Sequence, residues 1–247
     1  MLTIRKAHRV ALLLVTVVSL IGCSTRSISN SDYSADPDRG YSQRSNPFYK
    51  GELNELDVIG IDSKTAISEE EIAKATASRS RFVIQKGSSI MLIQSGAMIP
   101  DEDMVKGMEK YYNVSVFTGV PAEGGNTSGS YSRSLRLAAA KGSAEKLIVY
   151  WGFLETGREN LATKAISWFP FVGGAIADET QRMRIRMKVA VVDVKSGQWE
   201  MFSPEPFDDS SSSGRYSRAS SDQLQVAVLK NKAYKAAADN VVKRYAK

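Results

Sequence analysis

Imidazole and thiol groups are the usual workhorses of enzyme sites, and this chain holds one of each among 247 residues: His8 and Cys23. Both lie in the first two dozen positions. The rest of the chain cannot build a Ser-His-Asp triad, a Cys-His pair or a zinc site of histidines and cysteines. It also lacks HExxH, GxxxxGK[ST] and GxSxG motifs. Carboxylates remain, and Asp178-Glu179 and Asp208-Asp209 are the pairs near expected loops. Glycoside hydrolysis needs two carboxyls set apart across a cleft, which adjacency in sequence does not supply. A third cluster, Glu69-Glu70-Glu71, follows Ser68 in the Ser-x-x-Glu pattern of a capping box, where carboxylates serve a helix N-terminus. The expectation is a non-catalytic protein without metal or cofactor; the alternative is a carboxylate-dependent envelope hydrolase.

Two other groups point to binding. Trp168, Phe169 and Phe171 surround Pro170, and a proline cannot complete the hydrogen-bond ladder of a central strand. These aromatics are candidates for contact with a partner or a membrane, or for a loop folded back over the sheet. Arg182, Arg184, Arg186 and Lys188 alternate with Met183, Ile185, Met187 and Val189, so a strand would place four cations on one face. Neighbouring carboxylates or an anionic lipid or glycan should offset their repulsion.

The start of the chain sets where these groups work. Arg5, Lys6 and Arg9 precede Val10 to Ile21, an apolar run broken only by Thr16 and Ser19. Such a run suits a secretory signal and is shorter than the roughly 20 residues a spanning helix needs. It ends in Leu20-Ile21-Gly22-Cys23, which resembles the lipobox of bacterial lipoprotein signal peptides. That resemblance implies cleavage after residue 22, lipidation of Cys23 and attachment to a membrane through palmitate-type acyl chains. Ser24, rather than aspartate, follows the cysteine, and this resembles the sorting signal for the outer membrane in enteric-type bacteria. The formal charge of +6 falls to about +3 once the three signal cations are removed. So mild a balance does not suggest nucleic acid.

Beyond the cysteine, residues 24 to 47 carry seven serines and few aliphatics, as a flexible tether would. Such a tether, at full stretch, would reach roughly 80 Å. The expected organisation is signal 1–22, lipidated cysteine and tether 23–55, helical lead-in 56–81 and a globular domain 82–247. Leu56 to Ile61 reads as a strand or edge segment. Ile90 to Ile93, a continuous apolar run, reads as a strand buried on both faces. Pro100 and Asp101 open a helix carrying Met104 and Met108. Val114 to Val120 forms a strand, 121–130 a glycine-containing loop, and Tyr131 to Lys146 a helix. Leu147 to Leu154 and Arg182 to Val191 are strands, and the latter turns through Asp193-Val194-Lys195-Ser196-Gly197 into Trp199 to Phe202. Asp208 to Ser213 reads as a polar loop. Leu224 to Tyr245 repeats apolar residues at helical spacing.

The order β-α-β-α-β-β-β-α predicts an α+β domain, a mixed sheet with helices packed on it. With the hairpin at Asp193 to Gly197 and the final helix, it resembles the periplasmic domains of the CsgG, LpoB and TolB N-terminal group. That resemblance implies a non-catalytic domain that binds an envelope protein partner or self-assembles, facing the periplasm. A subunit of an oligomeric export or assembly complex is a further alternative. A CsgG-like pore would need two long amphipathic hairpins, and the chain offers no obvious pair.

Overall fold

A computed structural model describes residues 24–30, 46, 48–62, 66–78, 82–121, 128–160, 177–214 and 218–246. The signal segment, Cys23 and the aromatic run at Trp168, Phe169 and Phe171 lie outside these residues. The elements are β1 (Ser24–Ser27), a 3-10 turn (Ile28–Asn30), α1 (Glu55–Ile59), α2 (Glu69–Ala77), β2 (Ser89–Gln94), α3 (Glu102–Glu109) and β3 (Asn113–Phe117). They continue as α4 (Ser128–Lys141), β4 (Lys146–Asn160), β5 (Ala177–Asp193), β6 (Trp199–Phe202), β7 (Phe207–Gly214) and α5 (Arg218–Tyr245). The α+β class is as expected.

One sheet runs β3-β2-β4-β5-β6. Strands β3 and β4 flank β2 and run parallel to it, and β5 runs antiparallel to both of its neighbours, β4 and β6. The two parallel connections cross the sheet in opposite directions, so a right-handed rule sends their helices to opposite faces. The packing agrees. Met104 and Met108 of α3 share a core with α5 residues Leu229, Tyr234 and Val241, while Leu135 and Ala139 of α4 join Val58 of α1 on the other side. The apolar run of β2 therefore has cover on both faces, and Ile90, Leu92 and Ile93 are fully buried.

Strands β4 and β5 are long, and they outrun β2 and β6. Residues 90–94 of β2 occupy one edge of β4 only through Tyr150, and β1 takes the same edge further on, pairing Ser24 with Thr156 and Ser27 with Phe153. The outer edge of β5 is shared likewise, by β6 at Val189 to Val192 and by β7 at Ala177 to Ile185. The result is a projecting arm of β1, β4, β5 and β7.

Several expectations are corrected. The stretch expected to be a tether begins with a strand of the sheet, because Ile28 and its neighbours supply the one apolar anchor that the serine-rich stretch needed. Ile28 is 1% exposed and fits above Gly152, where a Cβ atom would lie 2.2 Å from the Ile28 side chain. The segment at Leu56 is the helix α1 rather than a strand: Asn54 caps it by accepting from Leu56 N, and Gly60 closes it at φ 81°. The expected polar loop at Asp208 to Ser213 belongs to strand β7, which pairs along β5 and packs Phe207 at its start against the core. Helix α4 begins at Ser128, inside the expected loop, and ends at Lys141. Other expectations hold. Ser68 and Glu71 form the reciprocal capping box, and Gly197 adopts φ 75° in the β5–β6 turn.

Candidate functional site

In sheets of this kind ligands gather beyond the carboxyl ends of the strands, where the crossover direction reverses. Here that point lies between β2 and β4, and their ends converge on Gln94, paired with Tyr150. The alternation of β2 puts Gln94 on the face of Ile90 and Leu92, so an amide ends an otherwise apolar row and is itself 1% exposed. Burial on that scale requires partners. Its Oε1 accepts from the Tyr150 hydroxyl at 2.6 Å and from Asp101 N at 2.7 Å; its Nε2 donates to Ser29 Oγ at 3.0 Å. Ser29 Oγ in turn donates to Ser95 O at 2.6 Å.

Asp101 is the N-cap of α3, yet its carboxylate makes no cap bond to the helix. Instead it accepts from Lys230 Nζ at 3.0 Å and from the Tyr234 hydroxyl, which ties α5 to the mouth of β2. Burial, with the Asp101 charge adding to it, pushes the Tyr150 hydroxyl well above the ordinary tyrosine range and keeps it a donor. Outside this network lies a crevice of about 370 Å³ lined by Ser29, Asn46, Gln94 and Asp101 and rimmed by Phe48, Met98 and Ile99. Those three rim residues are 69%, 64% and 70% exposed. Polar groups on the floor are committed to one another, while the rim presents apolar surface to solvent. The arrangement suits contact with a partner more than proton transfer.

Sequence reading did not single out Gln94, Asp101 as a link to α5, or this rim. A signal did exist: glutamine in the inward register of a buried strand must find buried partners. Their identity depended on three other segments, at Ser29, Asp101 and Tyr150.

The cation row expected at Arg182, Arg184, Arg186 and Lys188 does line one face of β5. Arg184 bonds Asp208 and lies 4.0 Å from Glu155, Arg186 pairs with Glu155 at 3.2 Å, and Lys188 bonds Glu55 of α1. The Arg184 bond holds the Asp208 carboxyl below its usual value. Of the two offsets the pattern allowed, the carboxylates of the chain itself occupy at least three of the four positions. Arg182, Arg184, Glu155, Asp208, Thr25 and Ser210 line an open groove of about 730 Å³ on the arm. Asp208 of the acidic pairs is thereby engaged with an arginine, and Asp178 and Glu179 enter β5 with side chains outside the described residues. Among the described residues, no three acidic, histidine or cysteine side chains are grouped to hold a metal ion. No helix among them is long and apolar enough to cross a membrane.

The class to which this α+β chain belongs, that of bacterial lipoproteins, is given by the family match. Residues 54–244 match the family described as YafT bacterial lipoprotein. The chain belongs to that family, and family membership makes it a lipid-anchored envelope protein. No curated protein sequence matches it. Among solved structures, a Helicobacter pylori protein assigned as a neuraminyllactose-binding hemagglutinin homolog is similar at 13% identity and a TM-score of 0.28, covering 67% of this chain and 87% of its own.

Proposed function

We propose that the protein is anchored through lipid on Cys23 in the outer membrane, faces the periplasm, and works there as a non-catalytic binding module. The crevice beside Gln94 is its contact site for an envelope protein. The observation that carries this reading is the juxtaposition at one strand end of a self-satisfied polar floor and three exposed apolar side chains, Phe48, Met98 and Ile99. Exposed apolar side chains clustered around a concavity favour partner contact over solvent. The family match and the lipobox-like leader support the anchor, and Ser24 supports the outer-membrane address.

The test uses intact cells. A photo-crosslinking residue at Met98 or Ile99 should capture a defined envelope protein, whereas one at Ile72 on the exposed helix α2 should not. Ile99→Asp should abolish capture with no change in melting. Equal capture at all three positions would refute the assignment of the site. For the anchor, mass spectrometry should find acyl chains on Cys23, and density separation should place the protein with the outer membrane.

A further inference from the structure

The lipid-bearing residue has no free spacer between it and the fold. Strand β1 begins at Ser24, so residue 23 lies one Cα step, about 3.8 Å, from a residue paired in the sheet. Three independent contacts lock the strand behind it. Ile28 fills the slot above Gly152, and Ser29 Oγ lies between Gln94 Nε2 and Ser95 O. Asn46 N donates to Asn30 Oδ1 at 2.5 Å, and Asn46 Nδ2 donates to Ser29 O at 3.4 Å. This clasp brings the chain back at residue 46 to the point it left at residue 30. The serine-rich stretch therefore adds no reach between anchor and domain.

Register then says which part of the molecule accompanies the anchor. Ser24 pairs with Thr156, Thr156 with Met183, and Met183 with Asp209, a row across the arm of about 14 Å at roughly 4.8 Å per strand. Because β1 and β4 are antiparallel, moving from Ser24 toward Cys23 is moving toward the end of β4 at Asn160, about 13 Å further on. The arm surface here carries both signs of charge on Arg182, Arg184, Glu155, Asp208 and Asp209, together with Thr25 and Ser210. Mixed charges and hydroxyls match a headgroup layer that itself carries phosphates and amines.

We infer that the part of the arm level with Thr156, Arg182 and Ser210 lies at the lipid headgroups, held there by a strand fused to the lipid anchor. This rests on the lipidation of Cys23 proposed above. The domain rides on the bilayer in a set orientation, with the β5–β6 turn at Lys195 directed away. Lys195 lies some 40 Å along β5 from the row of Ser210.

Two measurements test it in the full-length protein as made by cells. Thr25→Cys with Glu155→Cys, facing each other in the β1–β4 register, should form a disulfide in the oxidising envelope. Separately, the purified lipidated protein is labelled with a fluorophore at Ser210→Cys or Lys195→Cys and placed in vesicles bearing nitroxide headgroups. Cys23 is the only native cysteine and its sulfur is blocked by the lipid, so the label is specific. Quenching at position 210 should exceed that at 195 several-fold, and a long Gly/Ser spacer between Cys23 and Ser24 should erase the difference while the disulfide still forms. A lipidated, folded protein with equal quenching, or with no disulfide, overturns this inference alone. A chain without acyl groups on Cys23 overturns the anchoring reading as well, which mass spectrometry of the same sample reveals.

Discussion

The two ends of β5 obey different rules. From Met183 to Lys188 its residues alternate between a buried methionine or isoleucine and a cation, whereas Val189 to Val192 are buried without interruption. Strand β4 shows the same change, from Leu147 to Trp151, all buried, to Leu154 flanked by the partly exposed Phe153 and Glu155. In both strands the switch marks where helix cover on the second face gives out. Toward the β2 side, α1 and α4 press on one face and α3 and α5 on the other. Along the arm, α5 covers only the face of Met183 and Ile185, and ion pairs in solvent line the opposite face. A single strand can thus report, residue by residue, how many layers enclose it.

Mutations can sharpen this contrast. Leu92 is fully buried in the doubly covered half, and Leu92→Ala should lower stability by about 2–5 kcal/mol in chemical denaturation. Next comes the polar floor of the crevice: Gln94→Ala leaves the Tyr150 hydroxyl buried without its acceptor and should cost about 1–3 kcal/mol by the same measurement. A smaller effect appears only in acid. Burial pushes the Asp193 carboxyl up, but bonds from Lys146 and Ser196 outweigh it and hold it at about 2, below the ordinary 3.8. The folded-state value is the lower one, so the ionised carboxylate stabilises the fold above pH 4 and that contribution fades as pH falls toward 2. Asp193→Asn should flatten the melting temperature across that window relative to the parent protein. The smallest effect belongs to the arm. Arg186→Ala removes a pair between an exposed arginine and the partly exposed Glu155 and should leave the melting temperature nearly unchanged in a thermal scan. If it cost as much as Leu92→Ala, the idea of an arm open on one face would fail.

Much of this division was written in residue pattern alone. The continuous run at Ile90 to Ile93 and the alternation at Arg182 to Val191 named their environments before any coordinate, because side-chain periodicity follows directly from the pleat. The N-terminal segment was not legible in that way. Seven serines outweigh one Ile28 in any local reading, yet Ile28 has a slot 124 positions away above Gly152, and that slot exists only once β4 is in place. Strand β7 escaped for a similar reason. Its serines and aspartates have weak strand preference, and what holds them is the unpaired edge of β5.

By itself, the order of residues determined the lone cysteine, the α+β class, the helices at Glu69 and Glu102 and the body of the final helix from Leu224 to Tyr245, all properties of local pattern and capping. Only the tertiary structure decided that Gln94 meets Tyr150, that Asp101 reaches α5, and that the strand after Cys23 fills the edge left by β2. Those outcomes depend on where strands of unequal length end against one another, a quantity set by the whole sheet and carried by no single segment.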